Sequence, residues 1–517
     1  MKQKMIGYIV AVLLLVIPQL SFAQYFQALY DNDSTVDWGW CIASRPDSNY
    51  FIVGWSQNET TGQFSTFDMV ISNDGSHVLS KYDFKINGGT LGPGDPGQIK
   101  SLSTGGHVLP LLYQWPDSAT SYLYSAAGIM KLNSSGDTVL LKTYTDTSIY
   151  FDILYAINVM QDGGYIAGGA RGLNIPSKYP GYLIRTDSIG DTLWTHTYQK
   201  DTAQWVTINT VAPLNNGQIL VGAMSTYQII YGTYTYNHNA PWFMVLDSMG
   251  NILKDTLYSN GYVGGGAIYK DLNGGYVHIG EFDSLYTSNP SDIENFPGYI
   301  AHLDSDFRIT WITPFSYSYT DGHRDRVILR QLQDSSYIVI GAAFTNYAPN
   351  SFGWAAKVDR NGNILWDHYY VSDSTHEAYF RDVVEMPNGN LVFVGATFND
   401  TLPAWHSLQD MWIVGVDSNG CEIPGCTTTR VNNVPTINTF IQIYPNPTYG
   451  NFTIKAPQAG ELAVYNIQSQ QVAVYKVNAG ETNLKLPSTI NPGVYVCRYV
   501  AEQRDSLPVV IRLLYEP

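Results

Sequence analysis

The sequence predicts an all-β protein: a seven-bladed β-propeller closed by its N-terminal strand, followed by a small C-terminal β-sandwich. Three observations carry that expectation. A turn-plus-strand phrase recurs seven times at near-constant spacing, and a second phrase interleaves with it. Between residues 24 and 430 no stretch has helical periodicity. Composition agrees, since 46 glycines, 14% aromatics and only 14% charged residues are too apolar for disorder. A formal charge of −16 repels polyphosphate and argues against a nucleic-acid partner.

Residues 1–23 carry Lys2 and Lys4, an apolar run from Ile6 to Ile17, and Ser21-Phe22-Ala23 before Gln24. A basic start, a short apolar stretch and a small residue at the exit read as a secretory signal peptide. A membrane anchor needs about 20 apolar residues, and Pro18 and Gln19 break this run earlier. No other stretch is long and apolar enough for a transmembrane segment. Export places the cysteines in an oxidising setting. Cys421 and Cys426, separated by a turn containing Pro424 and Gly425, are expected to form a disulfide, while Cys41 and Cys497 sit in apolar strand-like segments.

The propeller is expected over 24–426. Its first repeated phrase is a turn followed by a β-rich run, as in Asp162-Gly-Gly-Tyr-Ile-Ala-Gly-Gly169 and Asn388-Gly-Asn-Leu-Val-Phe-Val-Gly395. The runs close at 54, 111, 169, 222, 280, 341 and 395, the copy at 104–111 being degenerate. The second phrase is an apolar run entering Asp-x-x-Gly, with clean copies starting at Asp187, Asp247, Asp359 and Asp417. Weaker copies start at Ser72, Asn133 and Asp304. Asn/Asp-Gly pairs suit hairpin turns that need positive φ, so each repeat reads as four antiparallel strands.

Closure is legible at the two ends. After Gly420 comes Cys421-Glu-Ile-Pro-Gly-Cys426 in place of a fourth strand, whereas Phe26…Tyr30…Asp33 aligns with Trp366…Tyr370…Asp373. The N-terminal strand is therefore expected to complete the last blade and hide its edge. The Asp-x-x-Gly-x-x-x-Trp phrase, with Trp194, Trp311 and Trp366, resembles quinoprotein-like propellers in architecture only. No quinone, metal or other cofactor is implied.

Residues 427–439 read as a linker. From 440 to 517 about seven short strands suit a small β-sandwich. Ile443-Tyr444-Pro445-Asn446-Pro447, Gly450-Asn451-Phe452 and Gly493-Val494-Tyr495 resemble the type A C-terminal sorting domain of type IX secretion cargo. The family often ends on lysine-rich strands, whereas this tail carries Arg504 and Arg512 and ends Tyr515-Glu516-Pro517. The resemblance implies export through the periplasm and outer membrane of a Gram-negative bacterium. It also implies recognition by the type IX machinery, then cleavage with release or surface attachment.

Strand alternation puts the tight turns on one face and the long, dissimilar second-to-third loops on the other. Rigid scaffold with variable loops suits binding. Those loops hold Trp115, Tyr124, Tyr231, Tyr234, Tyr286, Tyr347 and Trp405, amphipathic rings suited to sugars or extended peptides. Blade-to-blade segments on the same side add Arg324 and the set His323, Asp325, His376 and Glu377, the weak candidates for proton transfer or glycoside cleavage. No His-x-x-x-His, zinc-spaced cysteine pair, EF-hand, P-loop or Gly-x-Ser-x-Gly elbow is present, so no metal or cofactor site is assigned. The expected function is binding of an extracellular glycan or protein. The alternatives are a hydrolase or lyase acting at the same face, and a passive surface or adhesion component.

Overall fold

The computed structural model describes residues 26–31, 36–58, 64–84, 89–116, 123–144, 151–172, 178–200, 202–231, 234–258, 262–263, 267–282, 298–315, 328–344, 351–371, 377–398, 409–422, 442–445, 448–456, 458–466, 471–501 and 509–515. The chain divides into two compact units, Met1–Thr428 and Thr429–Pro517. Among the described residues the secondary structure is strand throughout, apart from one 3-10 turn at Asn215–Gly217.

The N-terminal unit repeats one element, a four-stranded antiparallel meander. Val36–Ser44, Tyr50–Gln57, Phe64–Ile71 and Val78–Phe84 form one, in chain order. Trp205–Pro213, Ile219–Tyr231, Tyr234–Leu246 and Ile252–Leu257 form another. The two largest sheets each hold two meanders, joined by a single parallel pair, Phe151 with Ser125 and Ser351 with Glu377. Second and third strands are buried along their length, as in Gly181–Thr186, whereas a fourth strand such as Thr192–Tyr198 alternates. Strands covered on both faces need apolar residues on both. That explains the Ile/Val/Ala runs.

Buried clusters bridge successive meanders. Phe51 and Val53 pack with Leu109 and Met130; Ile166 and Leu183 pack with Val221 and Met244; Ile338 and Ile340 pack with Phe393 and Trp412. One further cluster joins Ile52 and Met69 of the first meander to Val394 and Ile413 of the last.

The Asp-x-x-Gly turns explain why their residues recur. In Asp359–Gly362 the Asp359 carboxylate accepts the Asn361 and Asn363 N–H groups, each at 2.8 Å, and Gly362 N–H returns to Asp359 O at 3.0 Å. The glycine is required twice over. At Gly75 (φ +66°) an added Cβ would lie 2.2 Å from the Phe26 ring, and at Gly420 (φ +76°) it would lie 2.6 Å from His368. Phe307 takes the same place with φ 64°, and its ring is buried against Phe243 and Tyr276. Packing of that ring offsets roughly 1–2 kcal/mol of left-handed strain.

A hydroxyl latch ties most fourth strands to the next turn; the strand Val78–Phe84 has Phe84 in that place. Tyr144 donates to Gly190 O (2.9 Å), Tyr198 to Gly250 O (2.7 Å), Thr313 to Gly362 O (2.5 Å) and Tyr370 to Gly420 O (2.9 Å), and Tyr258 donates to Phe307 O. Tyr30 makes the same contact with Gly75 O at 2.5 Å. Its strand, Phe26–Tyr30, pairs antiparallel with Gln409–Val416, from Phe26 with Gly415 to Tyr30 with Met411. The N-terminal segment thus makes the contacts of a fourth strand. Burial pushes the Tyr30 phenol up to about 12, so it remains a donor across the physiological range.

Asp68 is a buried liability at the first interface between meanders. It is 3% exposed, and its Oδ2 has no hydrogen-bond partner among the described residues. Burial, with Asp137 and Asp83 nearby, raises its carboxyl from 3.8 to about 7. Between those values the folded chain holds a proton that the unfolded chain has lost, so stability falls as pH rises and levels off above about 7. Asp68→Asn should therefore stabilise the fold more at pH 8 than at pH 4, by about 4 kcal/mol at most. Denaturant titrations of both proteins at the two pH values measure this; equal differences would contradict it.

The C-terminal unit has two sheets. One pairs Gln442–Tyr444, Asn451–Ala456 and Gly480–Lys485; the other orders Gln471–Val477, Gly460–Tyr465, Gly493–Ala501 and Val509–Tyr515. Phe452, Ile454, Leu462, Val464, Cys497 and Leu513 fill the core between them.

Candidate functional site

The long connections leave from the starts of first and third strands and the ends of second strands, and aromatic rings collect there. Trp38 and Trp55 are register partners with centroids 6.2 Å apart. Phe64 lies 4.8 Å from Trp55, and Trp40 meets Trp55 edge-on at 5.6 Å. In the next meander Tyr113, Trp115 and Tyr124 form a stack, at 5.1 and 6.0 Å. Phe151, Tyr179 and Trp205 make a third group with T-shaped contacts at 6.3 and 5.6 Å. Trp205 is 49% exposed, and Trp38, Trp55, Tyr113, Trp115, Tyr124 and Tyr179 are half-buried, leaving parts of their rings open to a partner.

Charge on this side is held in defined pairs. Arg171 donates two bonds to buried Asp152, at 2.9 and 2.7 Å, and lies 3.9 Å over the Tyr182 ring. Arg381 lies 4.5 Å over Tyr379 and 5.4 Å over Trp40. A planar guanidinium stacks on such faces while leaving edge N–H groups for hydrogen bonding.

Four first strands carry a one-residue bulge, at Trp40, Tyr155, Asn209 and Arg381. A bulge re-aims a side chain or breaks pairing locally. Here three of these positions receive the segment Gly94–Gly97. Trp40 Nε1 donates to Gly94 O at 2.5 Å, Asp95 N–H donates to Tyr155 O at 3.0 Å, and Asn209 Nδ2 donates to Asp95 Oδ2 at 3.2 Å. Gly97 N–H reaches Trp40 O at 3.3 Å, and Gly97 O accepts from Arg330 Nη2 at 2.5 Å. Arg330 Nη2 also binds Asp382 at 2.7 Å. Asp382 is fully buried and accepts the N–H groups of Ile42 (3.0 Å) and Val383 (2.8 Å). Burial pushes this carboxyl up, and the guanidinium and amides hold it against that push.

Of the residues expected from the sequence, Trp115 and Tyr124 come together, but in strands. They are register partners in His107–Pro116 and Leu123–Leu132, and belong to no loop. Likewise Tyr231 and Tyr234, expected in a loop, stand opposite each other at the tip of a long hairpin of Ile219–Tyr231 and Tyr234–Leu246. The stretch is rich in Tyr, Thr and Ile, which favour the pleated sheet. Glu377 opens the strand Glu377–Glu385. His323, Arg324, Asp325, His376, Tyr286, Tyr347 and Trp405 lie outside the described residues, as do Asn446, Pro447 and Cys426. Cys421 is disulfide-bonded, and Cys41 and Cys497 are free and buried. Sequence reading missed Trp38, Trp40, Tyr179, Trp205 and the Gly94–Gly97 segment; the Trp38-Gly39-Trp40 pair was the available signal.

Residues 442–511 match the secretion system C-terminal sorting domain. Within it Pro445 follows a cis peptide bond, and Gly493 and Tyr495 stand on one strand with the Tyr495 ring buried. No curated protein matches the chain. Among solved structures, the β-propeller domain of the trilobed protease from Pyrococcus furiosus is 9% identical (TM-score 0.39), covering 79% of this chain and 100% of that one. PorZ, a surface component of the type-IX secretion system of Porphyromonas gingivalis, is 10% identical (TM-score 0.28), covering 91% and 69%. An α-L-arabinanase of Penicillium chrysogenum is 10% identical (TM-score 0.37), covering 75% and 95%. Likeness at these scores carries no functional argument. Residues 442–511 are thus a secretion-system sorting domain, and the strand order of the N-terminal unit, successive four-stranded antiparallel meanders, is that of a β-propeller.

Proposed function

We propose that the mature protein is a surface-exposed or released propeller of seven blades, closed by Phe26–Tyr30, that binds an extracellular glycan or protein on its loop face. Support for closure comes from the Tyr30 latch, its pairing with the last sheet and the cluster joining first and last meanders. The sorting domain delivers the propeller and is removed after transport. The observation that carries the binding reading is the set of partly open rings, Trp38, Trp55, Trp115, Tyr124, Tyr179 and Trp205, gathered at the loop-bearing strand ends. Ring faces stack on the apolar faces of sugars or on extended peptides, each well-packed ring contributing roughly 1–3 kcal/mol.

The test is a glycan and protein array probed with the chain freed of its signal peptide, residues 24–517. Trp115→Ala combined with Trp205→Ala should weaken the captured ligand at least tenfold while thermal unfolding stays cooperative. An empty array, or binding that the paired substitution leaves intact, contradicts the proposal.

A further inference from the structure

A cavity of about 460 Å³ lies at the opposite ends of the first strands, where they run into the tight hairpin turns. Its wall takes Ser44, Lys100, Tyr269, Arg330, Gln331 and Glu385 from several different meanders. None of these residues belongs to the aromatic surface. The volume falls in the range of small-ligand sites, roughly 300–1,000 Å³.

The charge of this wall runs against the rest of the molecule. Lys100, Lys270 and Arg330 line it against one carboxylate, Glu385, in a chain of formal charge −16. Asp382 stands behind Arg330, already committed to that guanidinium and to two backbone N–H groups. Glu385 accepts the Gln333 N–H at 2.7 Å, and burial raises its carboxyl toward the neutral form. Arg330 spends Nη2 on Gly97 O and Asp382 and Nη1 on Leu329 O, and it also bonds the Tyr269 side chain. Lys100 makes no ion pair among the described residues. An ammonium has three N–H donors and no acceptor. Burial and the adjacent Arg330 pull it down to about 8, and the nearby Asp382 carboxylate, shared with Arg330, offsets only part of that pull. An anion seated between Lys100 and Arg330 would remove that strain.

We propose that the cavity binds a small organic oxyanion, a carboxylate or phosphate group on a molecule of sugar size, with Lys100 as its principal donor and Arg330 and Tyr269 beside it. Arg330 is fixed by Asp382 and Gly97, so the site is preorganised. Lys100 supplies the charge that the ligand completes. The site is independent of the aromatic surface at the other strand ends.

Calorimetric titration of the mature chain with glucuronate, inorganic phosphate and neutral glucose tests this. Glucuronate or phosphate should bind, glucose should not, and Lys100→Gln should weaken the anion at least tenfold without lowering the melting temperature. Preference between the two anions tells which oxyanion the cavity suits. Lys100→Arg should keep a measurable part of the affinity, which separates loss of charge from loss of shape. No anion binding at millimolar concentration, or equal binding by wild type and Lys100→Gln, overturns the proposal.

Discussion

Deleting residues 24–31 from the mature chain should destabilise the N-terminal unit by roughly 5 kcal/mol, counting about 1 kcal/mol for each hydrogen bond lost and the burial of two aromatic rings. The strand contributes five register pairs with Gln409–Val416, the Tyr30 latch on Gly75, and the Phe26 ring 6.1 Å from Tyr50. Trp412 Nε1 would also lose its acceptor, Gln27 Oε1 at 3.3 Å. The deletion exposes a long apolar strand edge, so self-association should accompany the loss. Thermal unfolding and light scattering measure both. A truncated protein as stable and monodisperse as the parent would show that these contacts contribute nothing to closure.

Arg330→Ala should destabilise the N-terminal unit severely. Asp382 has 1% of its side chain exposed, and Arg330 is its only ion-pair partner among the described residues. Removing one member of a buried pair leaves an uncompensated charge, at about 3–5 kcal/mol. The double substitution Arg330→Met/Asp382→Asn removes both charges but keeps an amide oxygen to accept the buried backbone N–H groups, so it should recover much of the loss. Denaturant unfolding of the parent and the two variants decides the matter. If the double variant is as unstable as Arg330→Ala, the pair is not the cause and the bond from Arg330 to Gly97 O becomes the stronger explanation.

The sequence announced those parts of the fold that local chemistry enforces. Asp-x-x-Gly was legible because the carboxylate caps its own turn and only glycine tolerates both the positive φ and the ring beneath it. The match of Phe26…Tyr30 to Trp366…Tyr370 was legible because both tyrosines reach the same carbonyl of a following turn. The sorting domain was legible from its Pro-Asn-Pro and Gly-x-Tyr phrases, and its strands fall close to where alternation put them.

What stayed hidden depends on partners far away in the chain. Gly94-Asp-Pro-Gly97 reads locally as an ordinary turn, yet its partners include Tyr155, Asn209 and Arg330. The bulges at Trp40, Tyr155, Asn209 and Arg381 add one residue to strands whose alternation otherwise looks regular. Lys100, Tyr269 and Arg330 sit singly on three separate first strands, and only the tertiary fold brings them to one cavity. The aromatic residues of the long connections are visible in the sequence, but their strand character is not, because a long hairpin that leaves the four-strand repeat breaks the spacing of that repeat. Trp115, Tyr124 and the 219–246 hairpin are extended pairs that stand out from the sheet.

Both proposed surfaces take their positions from the N-terminal segment serving as a fourth strand of the last sheet. Hydrogen–deuterium exchange of the mature chain, read by mass spectrometry on peptides covering residues 26–30 and 364–370, measures that directly. The account predicts that the two segments exchange on the same slow timescale, and that Tyr30→Phe speeds only the first. Exchange of residues 26–30 as fast as that of an unfolded tail, with 364–370 protected, would contradict it.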